Sequence, residues 1–289
     1  MKFGLAAANT IPYVEPGPAR ALVTAAEAAG FESIWTVEHV VWPHAYDSTY
    51  PYTADGKMPG NPSIPIPDPI VWLTYVAAVT ERVRLGTGVV ILPQRNPVVF
   101  AKEVATLDVL SGGRVELGIG VGWLEEEFEA IGVPFARRGA RTDEMLEAMA
   151  ALWADDHATY DGEFVSFSDV GSNPKPVDGS VPIVVGGSSK AAARRAARHG
   201  TGFYTGPESV EGLGQTLGLV REACEEAGRD PAELEISASY PGLFLEEPER
   251  ALEVMTDLGV DRIMVPSYHV SRPTLDEGMA RFAETATSA

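Results

Sequence analysis

The chain has very little cysteine: Cys224 is the only one among 289 residues. A single thiol excludes an internal disulfide and any zinc cluster built from cysteines. The histidines show no His-x-x-x-His or Glu-x-x-His spacing, so we predict no metal site; they lie at positions 39, 44, 157, 199 and 269. No run of 18 or more apolar residues could span a bilayer, and the N-terminus already has the pattern of a strand and not of a secretion signal. These absences predict a cytoplasmic protein.

Basic residues are also scarce, because 22 Lys and Arg stand against 41 Asp and Glu, a formal net charge of −19. Such a surface repels nucleic acid and anionic membranes, so we expect neither as a partner. An anionic ligand would need a local basic patch. The sequence offers two clusters, for which ordinary solvated helix charge is the alternative: Arg137, Arg138 and Arg141, and Lys190, Arg194 and Arg195.

The predicted strands and helices alternate along the chain. A helical apolar pattern over 21–29 ends at Gly30 and gives way to a β-branched strand at 33–37, and a similar transition recurs near 258–265. Further strands are predicted near 83–91, 114–120, 182–186, 202–205 and 234–240, and helices near 69–80, 97–110, 124–131, 139–154, 188–199, 208–227 and 247–258. This order favours one closed (β/α)₈ barrel over residues 1–289, and no Gly-x-Gly-x-x-Gly follows the first strand to support a Rossmann fold.

Two segments interrupt the alternation. Residues 40–68 are too rich in proline for regular structure and too long for an ordinary connection, and they carry Tyr46, Tyr50 and Tyr52. We expect this loop to form a lid or a substrate wall, with simple packing of its rings as the alternative. Residues 156–181 contain a short alternating piece at 160–167, which predicts a small β structure outside the barrel.

Glycines follow several predicted strands, where barrel enzymes build their active sites. The third strand runs into GTGVVILPQRNP, which begins at Gly86, and the fourth belongs to LSGGRVELGIGVGW, which ends at Trp123. These motifs closely resemble those of the bacterial luciferase-like monooxygenase superfamily, and most closely its branch that uses the deazaflavin coenzyme F420. The resemblance extends along nearly the whole chain and implies a luciferase-type TIM barrel with insertions.

His39, preceded by Glu38 at the end of the second strand, is the most suggestive titratable side chain, because histidine titrates near neutral pH. On the residues alone, a structural histidine is the alternative. Deazaflavin-dependent members carry an acid, usually aspartate, followed by histidine at this place. The resemblance therefore implies that Glu38 helps to hold the cofactor and that His39 donates a proton or stabilises charge. We take both as candidate catalytic residues.

The resemblance also implies where the cofactor ring lies. A non-prolyl cis peptide at Gly88–Val89, next to Thr87, would support one face of the ring. The backbone after the fourth strand would lie near the ring, with Trp123 as a possible wall; it comprises Gly120, Val121 and Gly122. The acidic run 125–127 follows, and the sequence does not indicate which of Glu125, Glu126 and Glu127 faces the pocket.

A second glycine turn is a candidate phosphate site. The strand at 182–186 runs into Gly186, Gly187, Ser188, Ser189 and Lys190, where glycine exposes backbone amides at the start of a helix. The spacing is not that of a Walker loop, and a capping turn without a ligand is the alternative. The resemblance assigns this turn to the cofactor phosphate. The chain departs from the family at 200–203, where Gly-Thr-Gly-Phe replaces a frequent Gly-Asp-Gly-Trp.

We therefore expect an oxidoreductase that passes a hydride between F420 and an unidentified small organic molecule. One alternative is an FMN-dependent monooxygenase that uses O₂ and a separate flavin reductase. Another is a barrel that binds a flavin or deazaflavin without turnover. A hydrolase lacks support because no Gly-x-Ser-x-Gly motif is present. We further expect a homodimer.

Overall fold

The computed structural model describes residues 1–53, 55–206, 209–239, 247–271 and 274–287. The strands are β1 (Lys2–Ala6), β2 (Ser33–Thr36), β3 (Arg84–Thr87), β4 (Val90–Ile91), β5 (Val115–Gly120), β6 (Ala158–Asp161), β7 (Ser166–Val170), β8 (Ile183–Gly186), β9 (Gly202–Thr205), β10 (Glu235–Ala238) and β11 (Arg262–Pro266). The helices are α1 (Pro16–Ala29), α2 (Pro69–Ala77), α3 (Pro97–Ser111), α4 (Glu125–Ala130), α5 (Arg138–Ala154), α6 (Lys190–His199), α7 (Val210–Glu226), α8 (Pro248–Leu258), α9 (Ser267–Val270) and α10 (Leu275–Thr287).

Parallel strands close into the predicted barrel. β1 pairs with β2 on one side and with β11 on the other, and the remaining neighbours follow in the order β3, β5, β8, β9 and β10. The pairing of β3 with β5 completes the ring. β4 continues the line of β3 after a break at Gly88–Val89 and pairs with the C-terminal end of β5. The single strand predicted at 83–91 is therefore two short strands that share one position in the barrel.

Helix boundaries follow local signals in the sequence. α3 begins after Asn96, whose side chain accepts hydrogen bonds from the amides of Val98 and Val99. Its C-terminus is set by Gly112, whose φ of 72° lies in the left-handed region that favours glycine. The predicted limits at 208 and 240 lie outside the described residues.

The C-terminal helix α10 was not predicted from the sequence. It returns to the start of the chain, where the ring of Phe282 stacks on Phe31 with centroids 3.8 Å apart and meets the ring of Phe3 edge-on at 5.2 Å. This aromatic contact ties the last helix to the first βα unit.

Two segments lie outside the alternation of barrel strands and helices. β6 and β7 form an antiparallel hairpin in a separate two-stranded sheet outside the barrel. The described part of 40–68 contains neither helix nor strand. No helix in the described ranges has both the length and the apolar composition needed to cross a bilayer.

A buried cation fills the N-terminal end of the barrel. Arg262 opens β11, and its guanidinium forms three ion pairs: with Glu32 at 2.9 Å, Glu116 at 3.0 Å and Glu235 at 2.6 Å. The ring of Trp35 lies above it, 5.3 Å from the guanidinium carbon. This ion-pair cluster occupies the N-terminal end of the barrel. The active sites of barrel enzymes lie at the opposite end, where the strands have their C-termini.

Candidate active site

The peptide bond between Gly88 and Val89 is cis, as predicted. The Gly88 amide donates to the Thr36 carbonyl at 2.7 Å, on the neighbouring strand β2. The hydroxyl of Thr87 donates to the Gly118 carbonyl at 2.6 Å, on β5. The cis peptide is thus held from both sides at the mouth of the barrel.

The Val89 side chain gives a packing reason for two of the predicted glycines. A Cβ on Gly120 would lie 2.7 Å from one Val89 methyl, and a Cβ on Gly186 would lie 2.6 Å from the other. Both separations are too short for real carbon atoms, so an alanine at either position would displace Val89. Gly120 and Gly186 therefore allow Val89 to lie across the mouth between β5 and β8.

Glu38 is buried and already has partners for both carboxylate oxygens. Oε2 accepts from the Ile91 amide at 2.5 Å, and Oε1 pairs with the Arg95 guanidinium, which also contacts Asp68 at 3.2 Å. Burial alone would lower the pKa of Arg95, but the two carboxylates raise it above its ordinary value. Glu38 therefore fixes β4 and Arg95 beside the cis peptide. Its predicted catalytic role remains a prediction that this geometry does not favour.

His39 lies at the mouth with a carboxylate behind it. Its Nδ1 is 3.2 Å from Oε2 of Glu127, and the His39 and Glu127 side chains are only 13% and 2% exposed. A carboxylate accepts a hydrogen bond from Nδ1–H, and in that tautomer of a neutral imidazole Nε2 carries the lone pair and is the acceptor. Nε2 has no hydrogen-bond partner within the described part of the chain. His39 can therefore exchange a proton with a molecule in the mouth.

The acidic run after β5 holds the long loop in place. The second oxygen of Glu127 accepts from the amides of Val40 and Val41 at 2.6 and 3.2 Å. Glu126 accepts from the amide of Asp47 at 2.6 Å and from the hydroxyl of Ser48 at 2.7 Å. Burial alone would raise the pKa of Glu126, but hydrogen bonds from Ser48 and backbone amides lower it to about 2. The sequence did not indicate which of the three glutamates at 125–127 faces the pocket. In the structure Glu127 faces His39 and Glu126 faces the loop.

Asn9, which follows β1, pins the two ends of the same loop. Its side-chain amide donates to the carbonyls of Val37 at 2.9 Å and Pro67 at 3.1 Å, and its oxygen accepts from the Val37 amide at 2.8 Å. Because Asn9 is fully buried, these bonds are shielded from water.

Aromatic rings from the long loop pack around Trp123. The Trp123 ring meets Tyr50 at 5.1 Å, Tyr46 at 5.7 Å and His39 at 6.1 Å, each nearly edge-on. The predicted wall at Trp123 and the predicted aromatic loop therefore belong to one structure. This structure lines the same side of the mouth as His39.

Tyr204, near the end of β9, is a site residue that the sequence reasoning missed. Its ring carbon would be 3.0 Å from a Cβ on Gly88, so the ring touches the cis peptide. The next residue, Thr205, is buried, and its hydroxyl has no hydrogen-bond partner in the described ranges. A buried hydroxyl without a partner is unusual in proteins and points to a ligand.

The turn between β8 and α6 presents donors for an anion. Gly187 has a φ of 138°, which favours glycine, and the amides of 188–191 donate to no described group. Ser189 caps α6 by accepting from the Ala192 amide at 3.2 Å, whereas Ser188 is exposed. Free amides at a helix N-terminus, with the unpartnered Thr205 on the next strand, fit the phosphate of a flavin-like cofactor.

The predicted basic clusters have different environments. The ammonium of Lys190 lies 2.9 Å from Glu222 on α7, and Arg194 lies 3.2 Å from Glu226, so these charges join α6 to α7. Lys190 therefore offers its amide, and not its charge, to the turn. Arg195 is buried against Asp143 of α5.

The second cluster opens α5. Arg137 pairs with Glu163 on the surface. Arg138 donates to the Gly122 carbonyl at 2.9 Å, and neither Arg138 nor Arg141 forms an ion pair with a described residue. Burial lowers the pKa of the Arg138 and Arg141 guanidiniums. The positive charge of Arg138 lowers the pKa of Arg141 further. Arg138 lies in the field of Glu125, and Arg141 donates to the carbonyls of Pro134 and Ala136. Because neither has an ion-pair partner in the described ranges and both lie at the positive end of a helix dipole, an anion at this place would be stabilised.

Comparisons with known proteins agree with the fold. The family model for luciferase-like monooxygenases matches residues 1–286. An uncharacterized protein of Mycobacterium tuberculosis is 37% identical over 231 residues, which cover 80% of each chain. An F420-dependent glucose-6-phosphate dehydrogenase of Kineococcus radiotolerans is 33% identical over 245 residues, 82% of this chain and 67% of that protein. The crystal structure of a monooxygenase from Streptomyces bottropensis has a TM-score of 0.74 and 27% identity, and the match covers 100% of this chain and 99% of that one.

Proposed function

The chain belongs to the luciferase-like monooxygenase family, and from this premise we propose that it passes a hydride between coenzyme F420 and an organic substrate. The observation that carries the proposal is the His39–Glu127 pair at the barrel mouth, in which Nε2 of His39 has no hydrogen-bond partner among the described residues. The F420-dependent relative at 33% identity supports the choice of coenzyme.

When bound, F420 supplies a ring carbon that accepts or donates a hydride. The chain would hold its phosphate with the amides of 188–191 and the hydroxyl of Thr205, which have no partner among the described residues, and its ring against the backbone at Gly88–Val89. His39 would take the substrate proton on Nε2 when a hydride leaves the substrate, and return it in the reverse direction. Glu127 would orient the imidazole and stabilise its charged form.

An FMN-dependent monooxygenase, supplied by a separate flavin reductase, is the second candidate, and the monooxygenase at 27% identity favours it. The two cofactors differ in charge, because F420 carries a tail of several carboxylates beyond its phosphate and FMN does not. Arg138 and Arg141, which form no ion pair within the part of the chain that the structure describes, favour the longer cofactor.

Cofactor titration tests this choice. We expect F420 to bind more tightly than FMN at low salt, with an advantage that shrinks as salt rises, because the tail charges are screened. Arg141→Gln should raise the Kd for F420 about tenfold and leave that for FMN nearly unchanged. Fluorescence titration of the purified protein measures both constants.

The matched control is Arg137→Gln, since this guanidinium already pairs with Glu163 on the surface. It should leave both constants unchanged. Equal or tighter binding of FMN at low salt would assign the protein to the monooxygenase alternative.

A further inference from the structure

A cavity of about 480 Å³ opens next to the barrel mouth. Its walls come from the connection after β1, the first two turns of α1, and the segment from α9 to the start of α10. The wall includes Ile11, Tyr13, Ala21, Tyr268 and Leu275. None of the lining residues that the structure describes is charged, although charged residues make up 22% of the chain. The volume lies within the range of small-molecule sites in proteins.

The cavity lies at the same end of the barrel as the candidate active site. β1 and β11 are parallel neighbours, and lining residues follow the C-terminal ends of both strands. Tyr268 lines the cavity and also acts electrostatically on Tyr50 and Tyr204. Tyr204 touches the cis peptide, and Tyr50 packs on Trp123, which contacts His39. Tyr268 therefore stands between the cavity and the mouth.

Two hydroxyls in the wall are engaged with the protein itself. Those of Tyr13 and Ser271 hydrogen-bond to each other, and Ser271 donates to the Ser267 carbonyl at 2.5 Å. Because Ser271 has one proton and gives it to Ser267, the Tyr13 hydroxyl is the donor in the bond that the two share. The Ser267 hydroxyl in turn donates to the Ala7 carbonyl at 2.9 Å. This part of the wall has no hydroxyl proton left for a ligand.

Apolar side chains of the cavity remain in contact with water. Ile11 is 53% exposed and Tyr268 is 48% exposed, and Ala21 also faces solvent. Single exposed apolar residues are ordinary on a protein surface, but these line one concave space. An apolar group bound there would remove its own surface and that of the wall from water, which is favourable.

We propose that the cavity binds an apolar arm of the substrate, an alkyl chain or an aromatic ring that extends from the reacting carbon near His39 past Tyr268. This inference rests on the proposed function, because it takes the barrel mouth as the place of reaction. The polar part of the substrate would lie in the mouth and the arm outside it. The substrate class is therefore an amphiphile with one apolar end, and not a compact polar molecule.

Primary alkanols test the cavity without turnover. Prodan, an uncharged naphthalene dye whose emission shifts to the blue in apolar surroundings, serves as the probe. We expect the dye to bind to the purified protein and the alkanols from butanol to octanol to displace it. The affinity of the alkanols should rise about threefold with each methylene, because burial of each methylene is favourable.

Substitutions at Ala21 locate the bound dye. Ala21→Trp fills the cavity with an indole ring, and Ala21→Asp places a charge in it, so each should raise the Kd of the dye about tenfold or more. Ala28→Trp and Ala28→Asp are the matched controls. Ala28 is also exposed, lies two turns further along α1 and does not line the cavity. Both controls should bind the dye as the wild type does, and thermal unfolding verifies that all four variants fold.

The kinetic test concerns the arm. For compounds that exchange a hydride with F420, KM should fall as the apolar arm lengthens, and Ala21→Trp should remove this dependence. The Kd for F420 should not change, because the cavity residues and the amides at 188–191 belong to different segments.

Unchanged dye affinity in both Ala21 variants, displacement that does not depend on chain length, or a KM that does not respond to the arm would each overturn the proposed arm site. Dye binding that Ala21→Trp abolishes, in a protein without affinity for F420, would support the cavity and overturn hydride transfer to F420. The two proposals can therefore fail separately.

Discussion

The His39→Ala variant is expected to lose at least about 100-fold in kcat, the usual scale for the loss of a general acid or base. Its Kd for F420 should change little, because the imidazole contacts Glu127 and Trp123 and none of the free amides at 188–191. Steady-state kinetics and fluorescence titration measure the two effects separately. His157→Ala is the control, since His157 is exposed on the hairpin and pairs with Asp169.

Glu127→Gln tests whether Glu127 positions the His39 imidazole or only supports the fold of the long loop. The amide oxygen of glutamine can still accept from Val40 and Val41, but the charge next to His39 is lost. We expect kcat to fall about tenfold, with a changed pH profile and little change in KM. If His39→Ala and Glu127→Gln both kept the wild-type kcat and pH profile, His39 would be a structural histidine.

Arg262→Met should reduce the free energy of unfolding by about 3–5 kcal/mol, the range for breaking a buried ion pair by removing one partner. The side chain is 1% exposed, and its removal would leave Glu32, Glu116 and Glu235 facing one another without their shared cation. Urea denaturation measures the change. Arg250→Met, which removes an exposed ion pair with Glu247, should have no resolvable effect.

The position of Arg262 gives a second readout. Arg262 lies at the N-terminal end of the barrel, away from the candidate site. The folded Arg262→Met variant should therefore retain the affinity of the wild-type protein for the cofactor. A loss of stability no larger than that of Arg250→Met would show that the three carboxylates do not depend on this cation.

The barrel could be predicted from the alternation of strand and helix patterns, whereas the cis peptide at Gly88–Val89 was predicted only through the resemblance to the family. Glycine after several of the strands marks turns, and one motif covers both Thr87 and Arg95. A buried acid such as Glu38 needs a cation, and the arginine of this motif, Arg95, supplies it.

Other parts of the site depend on contacts between distant segments. Glu127 meets His39 across 88 positions, and three adjacent glutamates give no local sign of which one turns inward. Tyr204 becomes a site residue only because closure of the barrel brings β9 to the cis peptide. The sequence pattern at Lys190 suggested a phosphate ligand, but the nearby carboxylates of α7 come from residues 32 and 36 positions further on.

Transfer of a labelled hydrogen tests the central claim most directly. An organic substrate with deuterium on the carbon that donates the hydride is incubated with the protein and oxidised F420 under anaerobic conditions, and both products are analysed by mass spectrometry. Hydride transfer predicts that deuterium from the substrate appears in the reduced coenzyme, that the substrate is oxidised at the labelled carbon, and that His39→Ala slows both changes. Turnover that requires O₂ and reduced FMN, with oxygen from O₂ incorporated in the product, would contradict this account.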